Sequence, residues 1–260
     1  MNQVIDVLLK RKSVRAYEQK EISPAIKAQI LQASLRAPTA GNMMLYSILD
    51  VTDQAIKDKL AKTCDNQPFI AKAPLVWLFL ADYQRWQDYF IACGVEQICA
   101  QKNEPFRKPA EGDLFLACCD ALIAAQNAVI AAESLGLGSC YIGDIMEQYE
   151  THKQIFNLPK FVFPICLLCF GYPTVQQVNR EQTKRFNEKF IVFENQYHRL
   201  EKQEFDEMFS ERHKQAFNGR ESIDGAVNIG QATYRRKFSA EFTIEMTRSV
   251  RAMLQEWTAD

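Results

Sequence analysis

The sequence lacks the charge imbalance and the metal-ligand patterns that mark several functional classes. Its 31 Lys and Arg residues are balanced by 32 Asp and Glu residues, whereas a general nucleic-acid-binding protein normally carries a basic excess. It contains only three histidines, His152, His198 and His213, and these do not have the spacing of metal ligands. We therefore predict no nucleic-acid partner and no metal site.

Secretory and membrane signals are also scarce. Residues 1–9 are too short and, with Asp6, too polar for an apolar targeting core. The most apolar stretch, residues 114–132, contains Asp120 and Gln126 and lacks basic flanks, which favours a core helix over a membrane span. The eight cysteines lack secretory spacing. Reduced thiols, a cytoplasmic location and no membrane partner are therefore expected.

One cysteine pair, Cys166 and Cys169, has the CxxC spacing of many redox and metal sites. The pair lies in the apolar run 161–170, which predicts a buried strand. Residues three apart on a strand point to opposite faces. We therefore expect two buried structural thiols.

The hydrophobic residues that are present predict an α+β fold. They make up 47% of 260 residues, enough for a substantial core. Strands are predicted at 45–51, 75–81, 139–142 and 161–170, and the main helices at 26–37, 53–61, 114–132 and 146–156. Strands scattered among helices are typical of the α+β class. The polar residues 82–111 are expected to form a mobile, partly helical cover.

The character of the chain changes near residue 200. Helical stretches at 204–217 and 242–257 flank a polar, Gly-containing region. We expect residues 1–200 to form the main domain and residues 201–260 a helical C-terminal extension that packs on the same domain or on a dimer partner.

Residues 11–15 concentrate three cations and a hydroxyl. Arg11 and Arg15 offer forked donors, Lys12 a point charge and Ser13 a short hydrogen bond. This set suits a phosphate monoester, although a short basic run is also common at a solvated helix end.

Motifs further along the chain favour phosphate binding. APTAGN at Ala37–Asn42 follows a predicted helix, and AAESLGLG at Ala131–Gly138 precedes Tyr141–Gly143. Together with the basic-basic-Ser-x-Arg pattern at residues 11–15, these motifs resemble the FMN-dependent nitroreductase family. The resemblance extends from Met1 to about Tyr197 and is closest to the NADPH-dependent, oxygen-insensitive branch.

The resemblance implies a mixed β-sheet wrapped by helices, an intertwined homodimer, and an FMN-binding domain at residues 1–200. The cofactor-binding residues that it implies are Arg11, Lys12, Ser13, Arg15, Thr39, Asn42, Gln67, Tyr141, Ile142, Gly143 and Arg185. Thr39 and Asn42 would come from the partner subunit. The implied electron donor is NADPH or NADH, and relatives bind the 2′-phosphate of NADPH through an arginine near the C-terminus. The candidates here are Arg212, Arg220, Arg235 and Arg236.

Two positions depart from the family's pattern. Met44 stands where many relatives have Gln, and Asp144 stands where the close branch has a second small residue. Asp144 either lies near the flavin, where its charge would lower the flavin potential, or caps a helix that begins near Met146. Both departures bear on substrate choice and redox tuning more than on FMN binding.

The implied function is two-electron transfer from NAD(P)H to FMN and then to a nitroaromatic, a quinone or free flavin, with ping-pong kinetics. We expect no catalytic acid or base from the protein, because the cofactor carries the chemistry and solvent supplies protons. Two alternatives remain open. One is a flavin reductase that supplies a partner enzyme, and the other is a non-catalytic flavin-binding protein.

Overall fold

The structure, a computed structural model, describes residues 2–259 as two compact units. The first contains residues 2–180 and 245–259, and the second contains residues 181–244. The predicted division at residue 200 stays a prediction; the last helix, within the predicted C-terminal extension, places Trp257 in the core of the first unit. The Trp257 ring packs edge-on against Phe161 and Phe163, with centroid distances of 5.2 and 5.1 Å.

A four-stranded sheet lies at the centre of the first unit. Its strands are β1 (Tyr46–Asp50), β2 (Leu75–Asp82), β3 (Gly138–Ile142) and β4 (Val162–Gly171). They pair antiparallel in the order β1-β2-β4-β3, so β1 and β3 are the two edges. Within residues 2–259, parallel pairing is limited to an isolated bridge between Ser13 and Ser139. The resemblance implies a sheet with both parallel and antiparallel pairing, and within residues 2–259 the parallel pairing is confined to that bridge.

Helices surround this sheet, as the α+β prediction requires. Those of the first unit before residue 180 are α1 (Gln3–Lys10), α2 (Pro24–Leu35), α3 (Gln54–Thr63), α4 (Phe69–Lys72), α5 (Gln84–Ala92), α6 (Val95–Gln101), α7 (Glu111–Ser134), α8 (Tyr149–Phe156) and α9 (Val175–Asn179). The remaining helices are α10 (Lys202–Phe217), α11 (Ile229–Thr233) and α12 (Glu241–Thr258). Single 3-10 turns occur at Ala40–Asn42, Gly143–Met146 and Glu188–Phe190, and a π turn at Tyr234–Phe238.

Helix α7 packs on one face of the sheet through small residues. Its inward positions include Ala121, Ala124, Ala125, Ala128 and Ala132, which are fully buried. Small side chains allow the helix to approach the large sheet rings of Trp77, Phe79 and Phe170 closely. The core-helix prediction for residues 114–132 is confirmed. Within residues 2–259, α7 is also the one helix long and apolar enough to span a membrane.

Helices α3 and α4 cover the opposite face. Asp53 caps α3, since its carboxylate accepts hydrogen bonds from the amides of Ala55 and Ile56 at 2.7 and 3.2 Å. All eight residues of β2 are buried, as a continuous apolar run between two covered faces predicts.

The two cysteines of the CxxC sequence lie on opposite faces of β4. Cys166 belongs to the core on the α7 side, and Cys169 to the core on the α3 side. Both are buried free thiols, which confirms the prediction of a structural pair.

Residues 82–111 contain the helices α5 and α6, which agrees with the prediction of a partly helical cover, while the mobility of this cover stays a prediction. One predicted boundary differs from the structure. The helix expected from Met146 begins at Tyr149, because Gln148 adopts a left-handed conformation with φ of 47° and residues 143–146 form a 3-10 turn.

Candidate functional site

The basic segment at residues 11–15 runs along edge strand β3. Helix α1 ends at Lys10, and the Arg11 amide donates to the Val7 carbonyl at 3.0 Å. The chain then extends beside β3, where the Val14 amide donates to the Ser139 carbonyl at 2.8 Å. The structure thus brings together two motifs that are more than a hundred residues apart in sequence.

Gly138 allows this close approach. A Cβ at Gly138 would lie 2.4 Å from Cγ2 of Val14, well inside the distance that packed carbon atoms tolerate. The second glycine of LGLG is therefore required by the packing of the basic segment. The sequence contains the motif but does not reveal its contact.

Arg11, Ser13 and Arg15 converge on one side of β3, around Cys140. Burial raises the pKa of the Cys140 thiol, while the positive charges of Arg15 and Arg11 and hydrogen bonds from Ser13 and Arg15 oppose the rise. Arg15 is exposed at the surface. Three of the predicted phosphate ligands therefore share one location, and Cys140 is a neighbour that sequence reasoning did not single out.

Lys12 is engaged differently from the two arginines. Its ammonium donates to the carbonyl of Val178 at 2.6 Å and to that of Arg180. The Arg180 guanidinium in turn donates to the Ser13 carbonyl. Lys12 thus ties the basic segment to the end of α9, and its role as a phosphate ligand stays a prediction.

An acidic residue also faces the basic segment. The Ser139 hydroxyl donates to Oε1 of Glu133 at 3.0 Å. Burial raises the pKa of Glu133, while the Ser139 hydrogen bond and the nearby Arg11 charge act in the opposite direction. Glu133 therefore partly balances the positive charge of this region.

The turn that follows β3 leaves open space at Gly143. Ile142 is buried, whereas Gly143 is exposed, and the nearest atom to a Cβ at Gly143 would be Cε of Met146 at 4.0 Å. Tyr141 directs its hydroxyl to α7, where it donates to Oε1 of Gln126 at 3.1 Å. Backbone groups at residues 141–143 thus border a surface that a flat ring can approach.

Gln67 lies at the same turn. Its Nε2 donates to Oδ2 of Asp144 at 2.7 Å and to the carbonyl of Cys64 at 3.0 Å. Asp144 therefore binds a predicted cofactor-binding residue. The alternative that Asp144 caps a helix starting near Met146 is wrong, because α8 begins three residues later.

Thr39 and Asn42 lie elsewhere, in the loop before β1. The Thr39 hydroxyl accepts from the Met44 amide at 3.1 Å, and Asn42 has a left-handed φ of 58°. Buried Asp120 of α7 accepts from the amides of Ala40 at 2.9 Å and Leu45 at 3.0 Å. Asp120 therefore fixes both ends of this loop. From sequence it was only a polar residue in an apolar run.

The strand order separates the two groups of predicted site residues. The Thr39–Asn42 loop precedes edge strand β1, whereas residues 11–15 and 141–143 accompany edge strand β3. Three interstrand spacings separate these edges, or about 14 Å. One subunit therefore does not bring Thr39 and Asn42 onto the β3 group.

Arg185 belongs to the second compact unit, where it is exposed. Its neighbour Lys184 lies 3.9 Å from Glu211 of α10. In the same unit, Arg212 stacks on the Phe186 ring at 3.6 Å. Arg235 and Arg236 line a cavity of about 320 Å³. The roles of Arg185 and of these C-terminal arginines stay predictions.

The residues on the β3 side fit FMN. The two arginines and Ser13 are donors suited to a phosphate, and the open surface at Gly143 accommodates a ring without a clashing side chain. No group of three or more His, Cys, Asp or Glu side chains within residues 2–259 is arranged to hold a metal ion.

Comparisons with known proteins show which family this chain resembles. The profile of the nitroreductase family matches residues 8–172. An oxygen-insensitive NADPH nitroreductase from Salmonella typhimurium is 30% identical over 214 residues, covering 81% of this chain and 82% of that protein. An FMN reductase (NADPH) from Bacillus subtilis is 28% identical, covering 85% and 87% of the two chains.

The fold agrees as well. The structure of an NADPH:FMN oxidoreductase from Vibrio harveyi, complexed with NAD+, superimposes with a TM-score of 0.77 at 25% identity, covering 97% of this chain and 98% of that one. The extent of the family match, together with the identity to the Salmonella protein, shows that the chain belongs to the nitroreductase family.

Proposed function

We propose that the protein is an FMN-dependent NAD(P)H oxidoreductase. The observation that supports this function is the pairing of residues 11–15 with β3, because the proposed phosphate ligands then lie along the strand that ends at the open turn of Gly143. Family membership supplies the reaction class. Held by these residues, FMN would supply the two-electron chemistry that links a nicotinamide donor to a second acceptor.

In this proposal, Arg11, Ser13 and Arg15 bind the FMN phosphate. Hydrogen bonds to charged groups contribute roughly 1.5–3 kcal/mol each, so the two arginines supply a large part of the affinity. Lys12 fixes the segment to α9 through main-chain carbonyls and acts on the phosphate through its charge. Arg185, from later in the sequence, is proposed as a further phosphate ligand.

At the ring end, Gln67 and the backbone at Tyr141, Ile142 and Gly143 orient the flavin. Gly143 keeps one approach free of side-chain atoms. Because no protein acid or base is required, the residues bind and orient the ring, and solvent supplies the protons. The nicotinamide donor and the second electron acceptor then occupy the same face of the flavin ring, one after the other.

We further propose that the protein acts as a homodimer in the cytoplasm on small-molecule acceptors. Thr39 and Asn42 lie on the opposite sheet edge from the remaining site residues, so a second subunit is needed to complete the site. Helix α7 also exposes an apolar surface, with Phe115 exposed to 69% and Leu116, Leu122 and Ile123 also exposed. Such a surface is typical of an interface between subunits.

A substitution on this surface tests the dimer. Phe115→Glu should yield a monomer that loses FMN, because a buried unpaired charge opposes association. Val175→Glu is the matched control, since Val175 is also 69% exposed but lies in α9. Sedimentation of both variants, with FMN content measured by absorbance, distinguishes the outcomes. A wild-type monomer with one FMN per chain would contradict the proposal.

Two-substrate kinetics tests the proposed reaction. With NADPH and a quinone varied together, double-reciprocal plots should give parallel lines, because the donor product leaves before the acceptor binds. Intersecting lines would indicate that both substrates bind together and would contradict the shared ring face.

Free flavin is a second candidate acceptor, favoured by the similarity to the Bacillus subtilis FMN reductase (NADPH). Turnover of NADPH with free FMN under anaerobic conditions, compared with a quinone at equal concentration, distinguishes the two. A higher kcat/KM for free FMN would support a flavin reductase that supplies another enzyme.

A further inference from the structure

The turn that follows β3 contains a buried carboxyl group outside the proposed binding set. Glu147 is 4% exposed, and its Oε1 has no hydrogen-bond partner among the described residues. Buried carboxyl oxygens are nearly always hydrogen-bonded. Glu147 therefore has an unusual environment at the edge of the candidate site.

The ionisable groups around Glu147 are predominantly acidic. Asp144 comes from the same turn, Asp65 from the loop after α3, and Glu245 from α12. Cys64 and His152 also lie close to Glu147, and Arg248 binds Glu245.

These three groups do not neutralise Glu147. Burial raises the pKa of the Cys64 thiol and lowers the pKa of His152, which keeps both uncharged near neutral pH. The Arg248 guanidinium is bound to Glu245 and Glu150 at 2.8 Å. A negative charge on Glu147 would therefore meet repulsion from Asp144 and Asp65 without a cation of its own.

This environment keeps a proton on Glu147. Burial, reinforced by the negative charge of Asp144, raises the pKa of Glu147 to about 8. A protonated carboxyl group is a hydrogen-bond donor, and the Asp144 carboxylate lies within its reach. One proton between the two carboxyls removes the repulsion of two adjacent anions.

Asp144 in turn fixes the amide of Gln67. Nε2 of Gln67 donates both of its hydrogens, one to Asp144 and one to the carbonyl of Cys64. The amide therefore presents only its oxygen, an acceptor, to a bound ligand. An acceptor in this position favours a ring N–H of the flavin.

We propose that Glu147 and Asp144 share one proton and that this pair orients the Gln67 amide with its oxygen toward the ring of bound FMN. Asp144 and Glu147 are then positioning residues, which act on the flavin through Gln67. The inference rests on the proposed FMN binding.

Two substitutions at Asp144 separate orientation from charge. Asp144→Asn keeps an oxygen acceptor for the Gln67 amide, whereas Asp144→Ala removes it. We expect Asp144→Ala to weaken FMN binding about fivefold, the equivalent of one hydrogen bond, and Asp144→Asn to restore binding to within about twofold. Fluorescence titration of FMN-free protein with FMN measures both. Equal weakening in the two variants would contradict the orienting role.

Removal of the shared proton tests the pair itself. In the wild type, FMN binding should weaken as pH rises through about 8, because ionised Glu147 repels Asp144 and the anionic cofactor. In Glu147→Gln this weakening should disappear. The titrations of FMN itself are common to both proteins and cancel in the comparison. Glu21→Gln, at an exposed position, is the charge-matched control and should behave as the wild type.

A measurement on FMN-free protein separates this inference from the proposed function. Glu147 holds its proton more tightly in the folded than in the unfolded chain, so the wild type should lose melting temperature relative to Glu147→Gln as pH rises from about 5 to 9. Parallel melting profiles would refute the shared proton. If the profiles diverge as expected but FMN does not bind, the proposed function fails while the carboxyl pair stands.

Discussion

Replacement of Asp120 tests how the fold holds the Thr39–Asn42 loop of the candidate site. Its carboxylate is 2% exposed and accepts two backbone hydrogen bonds, from the amides of Ala40 and Leu45. Asp120→Ala removes both acceptors. The Leu45 amide is in a buried position and cannot regain a partner from water, whereas the Ala40 amide is partly accessible.

The magnitude follows from these contacts. Loss of the hydrogen bond to buried Leu45 should cost roughly 1.5–3 kcal/mol, and loss of the bond to Ala40 about 1 kcal/mol. We therefore expect Asp120→Ala to lower the free energy of unfolding by roughly 2.5–4 kcal/mol. Asp120→Asn keeps one acceptor and should cost about half as much.

Asp120→Ala should also weaken FMN binding, an effect separate from the loss of stability. With its anchor removed, the Thr39–Asn42 loop is no longer held in one conformation, and FMN binding must order it. We expect FMN affinity to fall about tenfold, or 1.4 kcal/mol. Urea unfolding at a fixed protein concentration and FMN titration measure the two effects.

Asp113 is the matched control for Asp120. It lies on the same helix, is similarly buried, and accepts from the amide of Ala110 at 2.8 Å, but it does not contact the loop. Asp113→Ala should cost about 1–2 kcal/mol of stability and leave FMN affinity unchanged. An Asp120→Ala protein with wild-type stability and FMN affinity would refute the anchoring role, and Asp120→Asn gives the same test if the alanine variant does not fold.

Three further predictions concern packing and the phosphate. Gly138→Ala should displace Val14, cost about 1–3 kcal/mol of stability and weaken FMN binding. Gly112→Ala is the control: a Cβ at Gly112 meets no atom within 4 Å, so this variant should stabilise α7 by about 0.5–1 kcal/mol. Thermal melts with FMN titration check both variants, and a Gly138→Ala protein with unchanged stability and FMN affinity would contradict the packing argument. Arg15→Ala should weaken FMN by roughly 1.5–3 kcal/mol in the same titration, and unchanged affinity would exclude Arg15 from the phosphate site. Trp257→Phe loses the indole hydrogen bond to the Ala110 carbonyl and leaves a cavity where the larger ring packs, so chemical unfolding should show a loss of roughly 1.5–3 kcal/mol; an unchanged free energy of unfolding would contradict the role of Trp257 in the core.

Local patterns predicted those parts of the fold that local physics determines. The apolar run at 75–81 predicted a doubly buried strand, and Asp53 predicted a helix start, because burial and capping depend on neighbouring residues. The start of α8 at Tyr149 was missed, since the left-handed conformation of Gln148 has no strong sequence signal. Helix α5 was only partly anticipated, although Trp86, Tyr89 and Phe90 follow helical spacing.

Long-range contacts were beyond local patterns. The pairing of Ser13 with Ser139 and the support of the loop by Asp120 join segments far apart in sequence. Their positions depend on strand order, which no local pattern encodes. The candidate residues on the β3 side could be named through the family's motifs, but the residues that support them, Asp120, Gly138 and Glu147, required the structure.

The most direct test of FMN-dependent electron transfer is anaerobic absorption spectroscopy of purified protein reconstituted with FMN. We predict one tightly bound FMN per subunit, loss of the flavin absorbance on addition of NADPH, and its return on addition of a quinone. Protein that binds no added FMN, or that binds FMN whose absorbance neither NADPH nor NADH changes, would contradict this prediction.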